Sequence, residues 1–196
     1  METEPDVNEP AAEIPIAQPE LKTGNLLLRP FNTTSDPERV QISLQCKEIA
    51  ANTRTIEHPY PDGAAAIWIA THRELWETGK GVVYAISQID EPSEPIGAIG
   101  LHVVTEHEHA ELGYWIDERW WGKGICSVAA RRLIEFGFAE LGLYRIYAHH
   151  LGRNPASGRV LLKAGMQYEG TFRKHVKKWG VFQDTVHYAI LSSDLP

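Results

Sequence analysis

Residues 111–127 read ELGYWIDERWWGKGICS, and this stretch decides the fold class. Residues 110–117, AELGYWID, have the composition of a β-strand. After Gly122 and Gly124 the chain continues as GICSVAARRLIEFGFAELG, in which apolar residues share one helical face. Glycine permits a sharp backbone turn at such a junction. The stretch therefore predicts a strand, a glycine turn and a helix of about five turns.

The next segment, RIYAHHL at 145–151, is typical of another strand. A strand–helix–strand unit almost always crosses over right-handed, which makes its two strands parallel. Three earlier runs, at 81–89, 95–104 and 110–117, are joined by short polar turns and indicate an antiparallel meander. The sheet is therefore expected to be mixed.

The remaining segments complete a single α/β (α+β) domain. NLLLRPF, in a folded part that begins near Leu21, predicts a first strand, and residues 36–53 and 64–81 each predict one helix. A further helix is expected over 154–166, followed by two strands in 167–191 around a Trp-Gly turn. The expected fold is one mixed, mostly antiparallel sheet flanked by about four helices.

Composition fits a globular protein of 196 residues with a formal net charge of −7. Residues 1–118 hold 7 basic and 21 acidic side chains, whereas 119–196 hold 12 and 5, which suggests an anion site in the second half. The overall acidity argues against a general nucleic-acid binder. Two cysteines are too few for a disulfide framework, so both thiols are expected to be free in a reducing compartment.

Residues 1–20 carry six acids, four prolines and no base, which predicts a flexible acidic tail before a domain over 21–196. This opening is unlike a cationic secretory signal. No stretch approaches the roughly 20 apolar residues of a membrane helix. We therefore expect a soluble, cytoplasmic protein that does not bind membranes.

The glycine turn has the features of a phosphate site. Helix N-termini present unpaired N–H groups beside a positive dipole end, and Lys123 and Arg119 add charge. The alternative is a strand-to-helix turn without a ligand. A dinucleotide fingerprint fails because Ser127 stands at the third glycine position, and a P-loop fails because Gly124 follows Lys123.

The chain resembles the GNAT acetyltransferase superfamily, whose signature is Gln/Arg-x-x-Gly-x-Gly/Ala. Residues 121–126, WGKGIC, are similar to it but carry Trp first and Cys last, and Trp-Gly-Lys-Gly is similar to the RimJ/RimL-like branch of ribosomal-protein N-terminal acetyltransferases. The resemblance extends from about Leu21 to Leu191. It includes GNLLLRPF, PIGAIGL, AELGYWID, Asn154-x-x-Ser157 and Lys163-x-Gly165.

The resemblance implies a GNAT fold whose central parallel strands splay around acetyl-CoA as co-substrate. The glycine turn would hold the pyrophosphate, and the pantetheine arm would lie between the two strands like an added strand. The implied cofactor-binding residues are Trp115, Ile116, Asp117, Trp121, Gly122, Lys123, Gly124, Ile125, Cys126, Ser127, Asn154 and Ser157. Asn154, followed by Pro155, is also a sufficient helix cap on its own.

Three catalytic candidates come from the same resemblance. Many relatives place a tyrosine seven residues after the asparagine as the acid, but this chain has Leu161 there. Ser157 is the candidate acid instead. Glu169 resembles the base proposed for RimL-like enzymes and Glu111 approximates that of histone-type members, while a water relay would replace either.

Histidines and basic residues outside these motifs have simpler interpretations. The alternating His and Glu around His107 and His109 indicate a solvated loop, and we predict no metal site. His149 and His150 are expected to line the acceptor cleft or to be hydrogen bonded in the core. The basic run 173–178 is expected to lie on an exposed strand whose charges block edge pairing, and contact with RNA or the ribosome is the alternative.

The implied activity is acetyl transfer from acetyl-CoA to a primary amine by direct attack on the thioester. The sequence leaves open a protein N-terminus, including that of a ribosomal protein, and a small amine such as a polyamine or amino sugar. A non-catalytic acyl-CoA sensor is a third interpretation. Direct nucleic-acid binding is not expected, and both a monomer and a homodimer remain open.

Overall fold

The computed structural model describes residues 17–195 and contains one sheet of eight strands. The strands are β1 (Leu21–Thr23), β2 (Leu26–Arg29), β3 (Gly81–Gln88), β4 (Gly97–Val104), β5 (His109–Ile116), β6 (Arg145–Leu151), β7 (Gln167–Lys178) and β8 (Val181–Leu191). The α-helices are α1 (Asp36–Leu44), α2 (Lys47–Asn52), α3 (Ala64–Ala70), α4 (His72–Glu77), α5 (Ile125–Glu140) and α6 (Pro155–Lys163).

The strand order is β1-β2-β3-β4-β5-β6-β8-β7, and β5 and β6 are the parallel pair. All other neighbouring strands are antiparallel. The mixed GNAT-type sheet expected from the sequence is confirmed. The basic run 173–178 lies in β7, the outer strand at one edge of the sheet.

Helix α5 packs against one face of the sheet and makes the larger core. Its buried Leu133 and Phe136 join Tyr84, Leu101 and Ile146 from the strands. Burial of side chains of this size contributes about 1.5–3 kcal/mol each. A smaller cluster lies on the opposite face, where α1, α2 and α3 meet Ala98 and Trp115. The junctions between strands and helices on both faces border the site described below.

Three segments differ in detail from the sequence prediction. The helix predicted over 36–53 is divided into α1 and α2, because Cys46 adopts an extended conformation with ψ 114°. The helix predicted over 64–81 is divided at Thr71, whose amide and hydroxyl both bond to the Trp68 carbonyl. The predicted first strand is a hairpin that turns at Gly24, where φ is +56°.

Most of the predicted acidic tail, residues 1–16, lies outside the described residues. Within its last four residues, the Gln18 side chain donates to the Val83 carbonyl at 2.9 Å. This contact connects the segment before β1 to the central part of the sheet. Contacts with the folded domain thus begin slightly before Leu21.

Candidate active site

The parallel strands β5 and β6 separate partway along their length. They are paired at three positions, from His109↔Arg145 to Glu111↔Tyr147. Beyond these, β5 stays paired with β4 up to Ile116, and β6 stays paired with β8 up to Leu151. The space between 112–116 and 148–151 is called the strand gap below. The splay expected from the sequence is thus present in the structure.

Backbone groups of β5 point into the strand gap. The amide of Asp117 donates to the Ile96 carbonyl at 2.9 Å on the β4 side. Because backbone groups alternate in direction along a strand, those of Tyr114 and Ile116 face the other way, into the gap. The Trp121 indole donates to the Ile116 carbonyl at 2.9 Å. The gap can therefore accept an extended chain that carries amides.

The glycine turn lies at the end of this gap, before the first turn of α5. Gly122 and Gly124 have φ values of +75° and +77°, in the left-handed region that favours glycine. The Gly124 carbonyl accepts the amides of Ser127 and Val128, so the amides before Ser127 lie outside the helical ladder. These amides and the helix dipole provide a site for an anion.

A cleft of about 1030 Å³ connects the glycine turn, the strand gap and the first turn of α6. Ten of the twelve residues predicted to bind the cofactor line it. They are Trp115, Ile116, Trp121, Gly122, Gly124, Ile125, Cys126, Ser127, Asn154 and Ser157. The structure thus brings together residues that lie as much as 42 positions apart in the chain.

The other two predicted cofactor residues, Asp117 and Lys123, are not among the cleft-lining residues. Asp117 is buried and accepts hydrogen bonds from Arg39 and Ser43 on α1 and from Arg119. Its carboxylate therefore holds α1 against the end of β5. The Lys123 ammonium lies over the Trp120 ring, 4.3 Å from its centroid, beside the turn.

Helix α6 begins at the cleft with Asn154 as its cap, as predicted. The Asn154 Oδ1 accepts the amide of Ser157 at 3.2 Å. The hydroxyl of Ser157 faces the cleft beside the strand gap. Leu161, at the position where the sequence lacks a tyrosine, is fully buried in the main core. The hydroxyl that α6 contributes to the cleft therefore comes from its first turn.

Sequence reasoning missed Tyr114, which also lines the cleft. Its hydroxyl lies 2.6 Å from the Ser157 hydroxyl, across the boundary between β5 and α6. Burial raises the pKa of Tyr114 above the ordinary value for tyrosine. No local sequence signal identifies this pair, because it depends on the register of β5 relative to α6.

Glu111 lies on β5 at the point where the strands separate, and its side chain lines the cleft. Its carboxylate is 3.2 Å from His149 Nδ1 and 3.8 Å from Arg54 Nη2. The hydrogen bond with His149 lowers the pKa of Glu111, and the nearby charges of His149 and Arg54 lower it further. Glu111 is therefore ionised at neutral pH and can accept a proton in the cleft.

Glu169 lies on β7, outside the cleft-lining residues. Its exposed carboxylate accepts hydrogen bonds from the Arg145 guanidinium, one of them at 2.7 Å. This pairing lowers the pKa of Glu169. The two glutamates proposed from sequence thus occupy different surroundings, one in the cleft and one in a surface ion pair.

His150 and Cys126 are buried groups at the cleft wall. His150 Nδ1 lies 2.8 Å from the Leu151 carbonyl, and burial lowers the pKa of this histidine. Burial raises the pKa of Cys126 to about 12, so its thiol stays protonated at neutral pH. His150 is therefore the hydrogen-bonded buried histidine expected from the sequence, while His149 contacts Glu111 in the cleft.

Another wall of the cleft comes from α2, α3 and the loop between them. It is rich in apolar side chains, including Ile49, Ile56 and Tyr60 from this region and Ile67 and Trp68 from α3. Ile67 is 71% exposed. Lys178 on β7 donates to the Ile56 carbonyl at 2.6 Å and so ties the loop to the β7–β8 hairpin.

Two of the three acidic side chains that line the cleft, Glu48 and Glu111, lie close to basic ones, and the third is Glu57. Glu48 lies 3.6 Å from Arg153, and Glu111 lies near Arg54. In residues 17–195, no group of three His, Cys, Asp or Glu side chains is arranged to hold a metal ion. No helix in this part of the chain has the length and apolarity needed to span a membrane.

Comparison with known proteins places this chain among acetyltransferases. Residues 25–167 match the family model described as Acetyltransferase (GNAT) domain. The chain is similar to the uncharacterized N-acetyltransferase YoaA of Bacillus subtilis, with 34% identity over 88% of this chain and 97% of the relative. It is 29% identical to the [ribosomal protein uS5]-alanine N-acetyltransferase of Escherichia coli, over 72% of this chain and 73% of that protein.

Solved structures show the same fold. A GNAT-family acetyltransferase from Bacillus anthracis aligns with a TM-score of 0.78 at 25% identity, covering 89% of this chain and 99% of that one. Other structures of this fold contain acetyl-CoA or coenzyme A. The anion site at the glycine turn and the strand gap fit such a molecule, which joins phosphates to an arm that carries amides.

Proposed function

The chain belongs to the GNAT acetyltransferase family, and we propose that it transfers the acetyl group of acetyl-CoA to the α-amine of a protein N-terminus by direct attack on the thioester. Its relatives are N-acetyltransferases, and acetyl-CoA is the acyl donor of the family. The observation that carries the proposal is the strand gap, which ends at the glycine turn and has Glu111 at its inner limit.

On the donor side, the amides before Ser127 would hold the pyrophosphate of acetyl-CoA. The pantetheine arm would occupy the strand gap and bond to the backbone of Tyr114, with Trp121 beside Ile116 at the open end. The thioester would then lie near Ser157. We assign the Ser157 hydroxyl as the donor that stabilises the departing thiolate.

On the acceptor side, we assign Glu111 as the base. The attacking amine must be neutral, and an α-amine with a pKa of about 7.7–8.0 is deprotonated at pH 7 far more often than a lysine amine with a pKa of about 10.4. The ionised Glu111 carboxylate takes the excess proton after attack, directly or through a water. Glu169 lies outside the cleft, which supports the choice of Glu111.

The acceptor wall supports a peptide over a polyamine. A polycation requires several free carboxylates, but two of the three glutamates that line the cleft, Glu48 and Glu111, already have basic partners, which leaves Glu57. Apolar side chains such as Ile67 and Trp68 instead suit an N-terminal residue with an uncharged side chain. The similarity to an enzyme named as an alanine N-acetyltransferase of ribosomal protein uS5 is in line with this acceptor class.

The experiment has two stages. The melting temperature is first measured with acetyl-CoA and with coenzyme A, since ligand at 100 times its Kd stabilises the folded state by about 2.7 kcal/mol. Thiol release is then followed with peptides that begin with alanine, the same peptides blocked at the N-terminus, spermidine and an amino sugar. We expect both ligands to stabilise the protein and unblocked peptides to release thiol fastest.

Each other outcome changes a specific part of the proposal. Release with spermidine or the amino sugar alone would make the acceptor a small amine. Acetyl-CoA binding without release for any acceptor would favour an acyl-CoA sensor. If neither ligand changed the melting temperature, the donor side as assigned here would be wrong.

A further inference from the structure

A tyrosine hydroxyl meets the Ser157 hydroxyl inside the cleft. The Tyr114 oxygen lies 2.6 Å from Ser157 Oγ and 3.2 Å from the Ser157 carbonyl oxygen. Tyr114 comes from β5 on one side of the strand gap, and Ser157 from the first turn of α6 on the other. The pair therefore spans the place where the thioester would lie.

The remaining polar groups of Ser157 have partners of their own. Its amide donates to Asn154 Oδ1 at 3.2 Å and also to the Asn154 carbonyl. The serine hydroxyl has one hydrogen to donate and two lone pairs that accept. The Tyr114 hydrogen has two acceptors, Ser157 Oγ at 2.6 Å and the Ser157 carbonyl oxygen at 3.2 Å. When it is donated to the nearer Oγ, the serine hydrogen is free to point to an acceptor in the cleft.

Tyr114 is suited to act as a permanent donor. Its side chain is half-buried at the cleft floor, and burial raises its pKa, so the phenol stays protonated across the neutral range. A hydroxyl that receives such a hydrogen bond is polarised and donates more strongly in turn. The orientation of the Ser157 hydroxyl thus depends on an oxygen from a different element.

We propose that Tyr114 is a positioning residue that holds the Ser157 hydroxyl so that its hydrogen bonds to the sulfur of the departing coenzyme A. This inference rests on the proposed function. When the carbon–sulfur bond breaks, its electron pair passes to sulfur, and the Ser157 hydrogen bond stabilises the resulting thiolate. The proton lost by the amine passes to Glu111, and Tyr114 keeps its own proton throughout.

The first test uses free coenzyme A as the probe and requires no acceptor. The pKa of the bound thiol is measured from the ultraviolet absorbance of the thiolate in the wild type, Tyr114→Phe, Ser157→Ala and the double variant. A hydrogen bond to a charged group is worth about one pKa unit. We expect a rise of about one unit in each single variant and no further rise in the double variant.

The second test uses turnover with two donors. We expect Tyr114→Phe to lower kcat about tenfold with acetyl-CoA, with the KM for acetyl-CoA changed less than about twofold. The selenium analogue of acetyl-CoA has the same recognition groups but a more acidic leaving group that needs less stabilisation. The defect should therefore shrink to less than about twofold with this donor.

Tyr144→Phe is the matched control, since this tyrosine is exposed and lies outside the cleft lining. An unchanged thiol pKa in Tyr114→Phe, or an equal rate defect with both donors, would overturn the inference. If Tyr114→Phe did not fold, the Ser157→Ala variant would still test the inference. An unchanged thiol pKa in Ser157→Ala would mean that the Ser157 hydroxyl does not bond to the sulfur, and this would overturn the inference. A wild type that binds coenzyme A but acetylates no amine would contradict the proposed function alone.

Discussion

The two sides of the cleft are made in different ways. The proposed donor side consists mainly of backbone groups, from the strand gap and from the turn at Gly122 and Gly124. The proposed acceptor side consists mainly of side chains from α2, α3 and the loop between them, together with Glu111 and His149. A backbone site tolerates many side-chain changes, whereas a side-chain site changes with each substitution. One fold can therefore keep its donor while its acceptor varies.

The charges on the two sides of the cleft do not follow simply from the charges counted along the sequence. Residues 1–118 carry an excess of acids, but on the proposed acceptor side Arg54 and Arg153 pair with Glu111 and Glu48. Lys178 also reaches this side, through the Ile56 carbonyl. Net charge counted along the chain thus gives the charge of segments, while ion pairs between distant segments determine the charge of a surface.

On the proposed donor side, the largest effect is expected from a substitution in the glycine turn. Gly124→Glu places a carboxylate where the phosphates would lie, and we expect the affinity for acetyl-CoA to fall more than about 100-fold, since like charges placed against each other cost several kcal/mol. The measurement is ligand-induced stabilisation. Gly142→Glu is the control, because Gly142 also has a positive φ and open space around it but lies outside the cleft. Equal affinities in the two variants would contradict the phosphate site.

On the proposed acceptor side, the largest effect is expected from a substitution at Glu111. We expect Glu111→Gln to lower kcat/KM for the amine by about 100-fold while acetyl-CoA binding is retained, because general-base catalysis contributes about 10²–10⁴-fold. Glu169→Gln should change the rate less than about twofold, since that carboxylate pairs with Arg145 outside the cleft. The opposite ranking in steady-state kinetics would make Glu169 the base.

Acid stability should not distinguish these two glutamates. Both have a pKa lowered in the folded protein, by His149 for Glu111 and by Arg145 for Glu169. Their contribution to stability is therefore present above the unfolded value of about 4.3 and is lost as pH falls through the folded pKa. We expect each Gln variant to lose less than about 1 kcal/mol at pH 7 and to have a flatter stability curve between pH 5 and 3 in urea titrations.

The smallest expected effect concerns the apolar wall. Ile67→Ala removes an exposed side chain that lines the acceptor side, so we expect the KM for a peptide acceptor to rise about threefold to tenfold with the KM for acetyl-CoA unchanged. Ile42→Ala is the control, because Ile42 is 56% exposed but does not line the cleft. An equal change in both KM values would contradict the division between the two sides.

The donor side was more predictable from sequence than the acceptor side. Gly122 and Gly124 between a strand and a helix are local signals, and so is Asn154 before Pro155. The Tyr114–Ser157 contact joins residues 43 positions apart and depends on strand register. The break between α1 and α2 was missed because Cys46 interrupts a pattern whose apolar spacing continues through it. Local conformation is encoded nearby, while contacts between elements depend on the whole fold.

The strand gap also makes β5 and β6 an internal edge of the sheet. Outer edges such as β7 are open to pairing with other chains, and β7 carries the charges of 173–178 that oppose it. The inner edge lies between two strands of the same sheet and borders the first turns of α5 and α6 in the cleft. Donor binding would complete the sheet there, so the amides of Tyr114 and Ile116 should exchange hydrogen slowly only when coenzyme A is bound.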